Sequence, residues 1–120
     1  MQSVQLSPLE TALATVFHEL YGDKGFPAPN RIRVLRRENT GAGRYVDVDS
    51  DDHIALDDGY VDLGGRYIKM SEVPHGLMAV ALIKNHRVRQ IEIAVYGVFI
   101  WDGIERDWSI SAPPSVTPKH

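Results

Sequence analysis

Seven aspartates, Asp47, Asp49, Asp51, Asp52, Asp57, Asp58 and Asp62, fall within sixteen residues of a 120-residue chain that holds sixteen acidic residues in all. No lysine or arginine lies between Arg44 and Arg66, whereas Arg31, Arg33, Arg36, Arg37 and Arg44 crowd the stretch just before. Carboxylates at such density can coordinate a hard cation, stand as a solvated loop, or offer a negative surface to a basic partner. Asp47, Asp49, Asp51 and Asp58 occupy positions 1, 3, 5 and 12 of an EF-hand-like spacing, with the apolar Ile54 at position 8. However, Asp52 replaces the turn glycine, and position 12 carries aspartate where the bidentate glutamate belongs. The flanks also read as strand, so no metal site is assigned.

Histidine adds no ligand set. His18 has no second histidine within a helical turn, His53 sits among the aspartates, and His75 and His86 fall in expected turns. A zinc site needs three or four convergent ligands, and cysteine is absent. The lack of cysteine also removes thiolate catalysis and disulfide frameworks. There is no Gly-x-Ser-x-Gly elbow, no phosphate-binding P-loop and no dinucleotide fingerprint. No catalytic residue and no cofactor are therefore assigned. A net charge of −3 argues against general affinity for nucleic acid or anionic membrane.

A second feature is the aromatic set Tyr96, Phe99, Trp101 and Trp108, beside Asp102, Glu105, Arg106 and Asp107. Such residues fill cores, but tryptophan and tyrosine also anchor interfaces, and Trp101 is carried forward as a partner-binding candidate.

The elements that must position these groups follow from the pattern. Ser7-Pro8-Leu9-Glu10 is a helix start: a capping serine, proline in the first turn and glutamate three residues on. Leu9, Leu13, Val16, Phe17 and Leu20 then make one apolar face at helical period, and Gly22 with the 25–30 stretch ends it. Beyond Asn30 the period becomes two: Ile32 and Val34, then Val46 and Val48, alternate with charged residues around an Asn39–Gly43 turn. Further strands are expected over 66–70, closed by a 73–76 turn, then over 77–84, 88–96 and 108–110, with a two-residue turn at Asn85-His86. Because 77–84 is nearly all apolar, it reads as a central strand covered on both faces. Short connections favour antiparallel pairing. The expectation is a single α+β domain over residues 1–111, one N-terminal amphipathic helix on a mainly antiparallel sheet of about five to six strands, followed by a proline-rich extended tail over 112–120. No secretory leader and no apolar run of membrane-spanning length occur, so a cytoplasmic location is expected.

Val73 to Val80, Ile91 to Gly97 and Trp101-Asp102-Gly103 resemble small bacterial α+β proteins of the toxin-immunity type, a likeness confined to the last third of the domain. That resemblance implies a protein that binds one toxin domain and blocks it without catalysis of its own. The charge pattern points the same way, since an acidic surface complements the basic cleft of a nuclease and steers the encounter. On this reading Asp47, Asp49, Asp51, Asp52, Asp57, Asp58 and Trp101 contact the partner, and the chain is a monomer or weak homodimer. The competing reading is a small hydrolase or ligand-binding domain with a pocket between helix and sheet, onto which His75, Glu92, Tyr96 or Arg66 converge. A third is a subunit that dimerises through an exposed strand edge.

Overall fold

The computed structural model describes residues 5–112, so most of the proline-rich tail lies outside the described residues. Helix α1 (Pro8–Tyr21) begins as the capping pattern predicts. Ser7 Oγ accepts from the Glu10 N–H at 3.2 Å, and the Glu10 carboxylate accepts from the Ser7 N–H at 2.9 Å. Two short 3-10 turns, Gly22–Lys24 and Pro29–Arg31, lead into the strands.

The strands are β1 (Arg33–Asn39), β2 (Gly43–Asp49), β3 (Gly59–Asp62), β4 (Ile68–Met70), β5 (Val73–Lys84), β6 (Arg87–Val95) and β7 (Ser109–Ile110). They form one antiparallel sheet in the order β1-β2-β6-β5-β4-β7, and β3 pairs with β5. The α+β architecture is thus as expected, with seven strands where five to six were predicted.

The additional strand is β3, whose Tyr60-Val61 core is flanked by glycine and aspartate and so lacks the apolar alternation that marks a strand. Its pairing with 80–83 of β5 supplies what the local pattern does not. Residues 73–76, expected as a turn, instead extend β5 to twelve residues. Pro74 and Gly76 are tolerated there because β4 pairs with β5 only at Val73 and Leu77, leaving the proline free of a ladder bond on that side. Gly76 has φ +73°, and a Cβ there would lie 2.5 Å from the Ile68 carbonyl oxygen. The Asn85-His86 turn adopts φ 52° and 62°, the doubly left-handed turn that matches strand twist, and joins Lys84 to Arg87.

Helix α1 covers one face of the sheet. Leu9, Leu13 and Phe17 pack with Val46, Val48, Leu77, Ala81, Ile83, Ile91 and Ile93, all buried. β5 follows the strand period: Leu77, Ala79, Ala81 and Ile83 are buried, while Met78, Val80 and Leu82 are half-buried. Coverage of β5 on both faces, as its composition suggested, does not occur. The molecule is 21 Å through its thinnest direction, room for one helix layer on one sheet. Among the described residues, no helix is long and apolar enough to cross a membrane.

Candidate functional site

The β1–β2 hairpin decides the fate of the acidic segment. Antiparallel register sets Arg33 opposite Asp49, so residues just before β1 lie beside residues just after β2. Arg33 Nη2 donates to Asp49 at 2.7 Å and to Asp51 at 3.2 Å, and Arg31 grips Asp52 through Nε and Nη2 at 2.8 and 2.6 Å. Arg89 reaches Asp49 at 3.5 Å from β6. These hydrogen bonds, from Arg33 and Arg31 respectively, hold the Asp49 and Asp52 carboxyls below the usual carboxylate range. Asp47 accepts from Gln90 at 2.9 Å, and Asp58 accepts from the Asn85 N–H at 2.9 Å. Asp57 is exposed and makes no side-chain hydrogen bond among the described residues.

A hairpin lets arginines face Asp47 and Asp49, whereas Asp51, Asp52, Asp57 and Asp58 are expected to lie beyond it. Asp51 and Asp52 do not: buried Ser50 turns the chain at the end of β2, its Oγ accepting from the Asp52 N–H at 3.3 Å, and returns them to the guanidinium groups, while Asp57 and Asp58 pair with no arginine among the described residues. Asp47 and Asp49 lie on β2, as their alternation with Val46 and Val48 predicts, and no three histidine, aspartate or glutamate side chains among the described residues are grouped to hold a metal.

Trp101 is not at the surface. It is 1% exposed, and its indole lies beneath the guanidinium of Arg44, 4.8 Å from the ring centroid. Arg44, 4% exposed, donates to Glu10 at 2.9 Å, to Glu105 at 2.6 Å and to Asn39 at 2.8 Å, and also to the Gly103 carbonyl. Glu10 is fully buried and takes two further bonds from Arg37, at 2.7 and 2.5 Å. Glu105 in turn accepts from Ser7 Oγ at 2.5 Å and from the Leu9 N–H at 2.9 Å. Burial alone would raise the pKa of Glu10. The Arg37 and Ser7 hydrogen bonds, with the charges of Arg37 and Arg44, outweigh it and hold the carboxyl below its usual range.

Sequence reasoning did not find this network, although a signal was present. Arg44 has the same strand parity as Val46 and Val48, and Glu10 lies three residues before Leu13 on the apolar helix face, so both point inward.

The network pins a loop. The Trp101 N–H donates to the Gly41 carbonyl at 2.9 Å and its indole Nε1–H to the Ile104 carbonyl at 2.8 Å. The apolar neighbours of Trp101 consequently face water: Val98 is 96% exposed, Ile100 78%, and Ile104 is exposed as well. Glu72, Asp102 and Asp107 edge this loop, with Arg106 bridging Glu72 and Asp102 at 3.0 and 2.7 Å. The Asp102 carboxyl is lowered to about 2 by the Arg106 hydrogen bonds and the Ile104 N–H.

A cleft of about 830 Å³ opens where the sheet edge is broken. β3 occupies the 80–83 stretch of β5 and β4 pairs at Val73 and Leu77, so Met78 and Ala79 have strand partners on the β6 side alone. The 63–67 connection borders the gap. Leu63, Met70, Val73 and Met78 supply apolar lining, and Arg66, Tyr67, Lys69, His75 and Tyr96 the polar or aromatic groups. Three of the four groups expected to converge on a pocket, Arg66, His75 and Tyr96, therefore share it, whereas Glu92 is not part of its wall. No residue of α1 lines it, so this cleft lies at the strand edge instead of between helix and sheet.

A scan against protein-family models, a search of curated proteins and a search of solved structures each return no match for the chain.

Proposed function

We propose that the chain is a non-catalytic protein-binding module that engages one cognate partner through the apolar loop 98–104 and its acidic rim. Following the likeness to toxin-immunity proteins, the partner is a toxin domain with a basic-edged cleft, which the module blocks. The observation that carries this reading is the pairing of Val98 and Ile100, 96% and 78% exposed, with Trp101 at 1%.

Exposed branched apolar side chains hold unfavourable surface in water, and contiguous ones mark recognition sites. A loop already pinned at both the backbone and the indole of Trp101 loses little conformational freedom on binding. Burying Val98 and Ile100 against a partner contributes about 3–6 kcal/mol for the two side chains together. Glu72, Asp102 and Asp107, set against the single charge of Arg106, add a net negative rim that favours a basic partner and raises the rate of encounter.

The test compares the parent with a Val98→Asp, Ile100→Asp double variant, both immobilised and exposed to native cell extract. The parent retains one protein in stoichiometric amount, and the variant loses it by a hundredfold or more in affinity measured with the purified partner. Equal retention by both proteins refutes the loop as the binding surface. Sedimentation at two concentrations adds a second check: self-association of the parent that the double variant abolishes would make the loop a homodimer contact and overturn the single-partner reading.

A further inference from the structure

We infer that the cleft at the sheet break binds a small organic anion, a carboxylate or phosphate group carried on a flat apolar body. Of the nine arginines among the described residues, seven are ion-paired. Arg66 is one of the two that are not, and it stands at the cleft. Lys69, also at the cleft, has no carboxylate within 4 Å among the described residues; its ammonium lies 5.9 Å from the centre of the Tyr67 ring.

The one acidic side chain in the wall, Asp62, is turned to its own backbone. Its Oδ1 accepts from the Gly64 N–H at 2.9 Å, and the Tyr21 hydroxyl donates to its carbonyl at 2.9 Å. The cleft thus holds two cations with no ion-pair partner among the described residues against one exposed carboxylate, a net positive balance that favours negative charge in a ligand.

The rest of the wall sets the body of that ligand. Met70 and Met78 are polarisable and adapt to a flat hydrocarbon. Tyr67 and Tyr96 stand half-open with hydroxyls that donate to no described residue, and each combines a flat apolar face with a polar tip. A volume of about 830 Å³ falls in the range of small-molecule sites. Val98 and Ile100 do not line the cleft, although Phe99 between them packs on its His75 at 4.9 Å between ring centres, so the Val98, Ile100 variant reads partner binding and the Arg66, Lys69 variant reads ligand binding.

The experiment follows the Met70 and Met78 methyl resonances by NMR while four probes are titrated: 2-naphthoate, 2-naphthyl phosphate, 2-naphthamide and inorganic phosphate. Saturable shifts at both methyls are expected with naphthoate or naphthyl phosphate, whichever binds tighter naming the headgroup. Naphthamide is expected to bind at least tenfold more weakly, since it lacks the charge that Arg66 and Lys69 would hold. The double variant Arg66→Gln, Lys69→Gln should lose about tenfold or more in affinity for the better anion, as removal of charge-assisted hydrogen bonds requires. Should that variant unfold, Lys69→Gln alone and a rise in salt from about 0.02 to 0.5 M make the same test, each weakening the anion and not the amide. Absence of saturable shifts with every probe overturns the inference, as does equal affinity for naphthoate and naphthamide. Inorganic phosphate binding as tightly as naphthyl phosphate would overturn the role given to the apolar walls.

Discussion

Replacing Arg44 by methionine tests whether the buried charge network, rather than the surface arginine–aspartate pairs, holds the two layers together. The side chain is 4% exposed and serves four acceptors: Glu10, Glu105, Asn39 and the Gly103 carbonyl. Removing one partner of a buried ion pair commonly costs about 3–5 kcal/mol, because the remaining charge stays desolvated without its counterion. Here both carboxylates keep other donors, Arg37 and the Ser7 N–H for Glu10, Ser7 Oγ and the Leu9 N–H for Glu105. That places the expected loss at the lower end, about 3 kcal/mol out of a total of about 5–15 kcal/mol for a domain of this kind. At about 4 °C per kcal/mol for this chain length, the melting temperature falls by about 12 °C.

The assay is thermal and urea unfolding at pH 7 followed by circular dichroism, with an unchanged urea slope confirming that the folded state is intact. Arg31→Ala removes the same charge from the exposed pair with Asp52 and should leave the melting temperature near the parent's, as solvent-screened pairs contribute little. Arg44→Lys should lie between, keeping the charge without the planar fork. An Arg44→Met protein that melts within about 2 °C of the parent, or above it, would refute the reasoning, since methionine would then replace the network without loss.

Acid should destabilise the fold progressively as pH falls through the usual carboxylate range and below it. Glu10, Asp49, Asp52 and Asp102 all have folded-state pKa values below their unfolded ones, so their contribution is present above about pH 4.5 and is lost as pH falls toward the folded values, about 2 for Asp102. Urea unfolding at a series of pH values checks this, and Glu10→Gln should flatten the loss between pH 4.5 and the folded pKa of Glu10. Gly43→Ala should cost about 3 kcal/mol, at the upper end of overpacking effects, because its Cβ would lie 2.1 Å from the Ile93 carbonyl oxygen and force β2 from β6. The urea midpoint measures it, and a midpoint equal to the parent's would mean the two strands yield freely there. Val98→Asp with Ile100→Asp should leave the melting temperature nearly unchanged, since neither side chain is buried in the free protein; a large drop would reassign both to the core.

Much of the scaffold was readable from local chemistry. The Ser7–Glu10 capping pair, the Leu9–Phe17 stripe and the two-residue Asn85-His86 turn each depend on neighbours within a few residues, and each appears as the pattern predicts. β3 was not readable, because Gly59–Asp62 is a strand only through its pairing with β5. Coverage of β5 was misjudged for the related reason that composition records how apolar a strand is, not how many layers the chain has left to place on it.

The amino-acid order by itself determined one helix on an antiparallel sheet, since hydrophobic period and turn chemistry act over a single turn of helix or a single hairpin. Tertiary structure alone decided where the charges meet. Arg44 finds Glu10 across 34 residues and Glu105 across 61, Arg31 finds Asp52 across 21, and Trp101 sinks beneath Arg44 while Val98 and Ile100 are left in water. A charge contributes according to its distance from its counterion and to the water between them, and neither is a property of spacing along the chain.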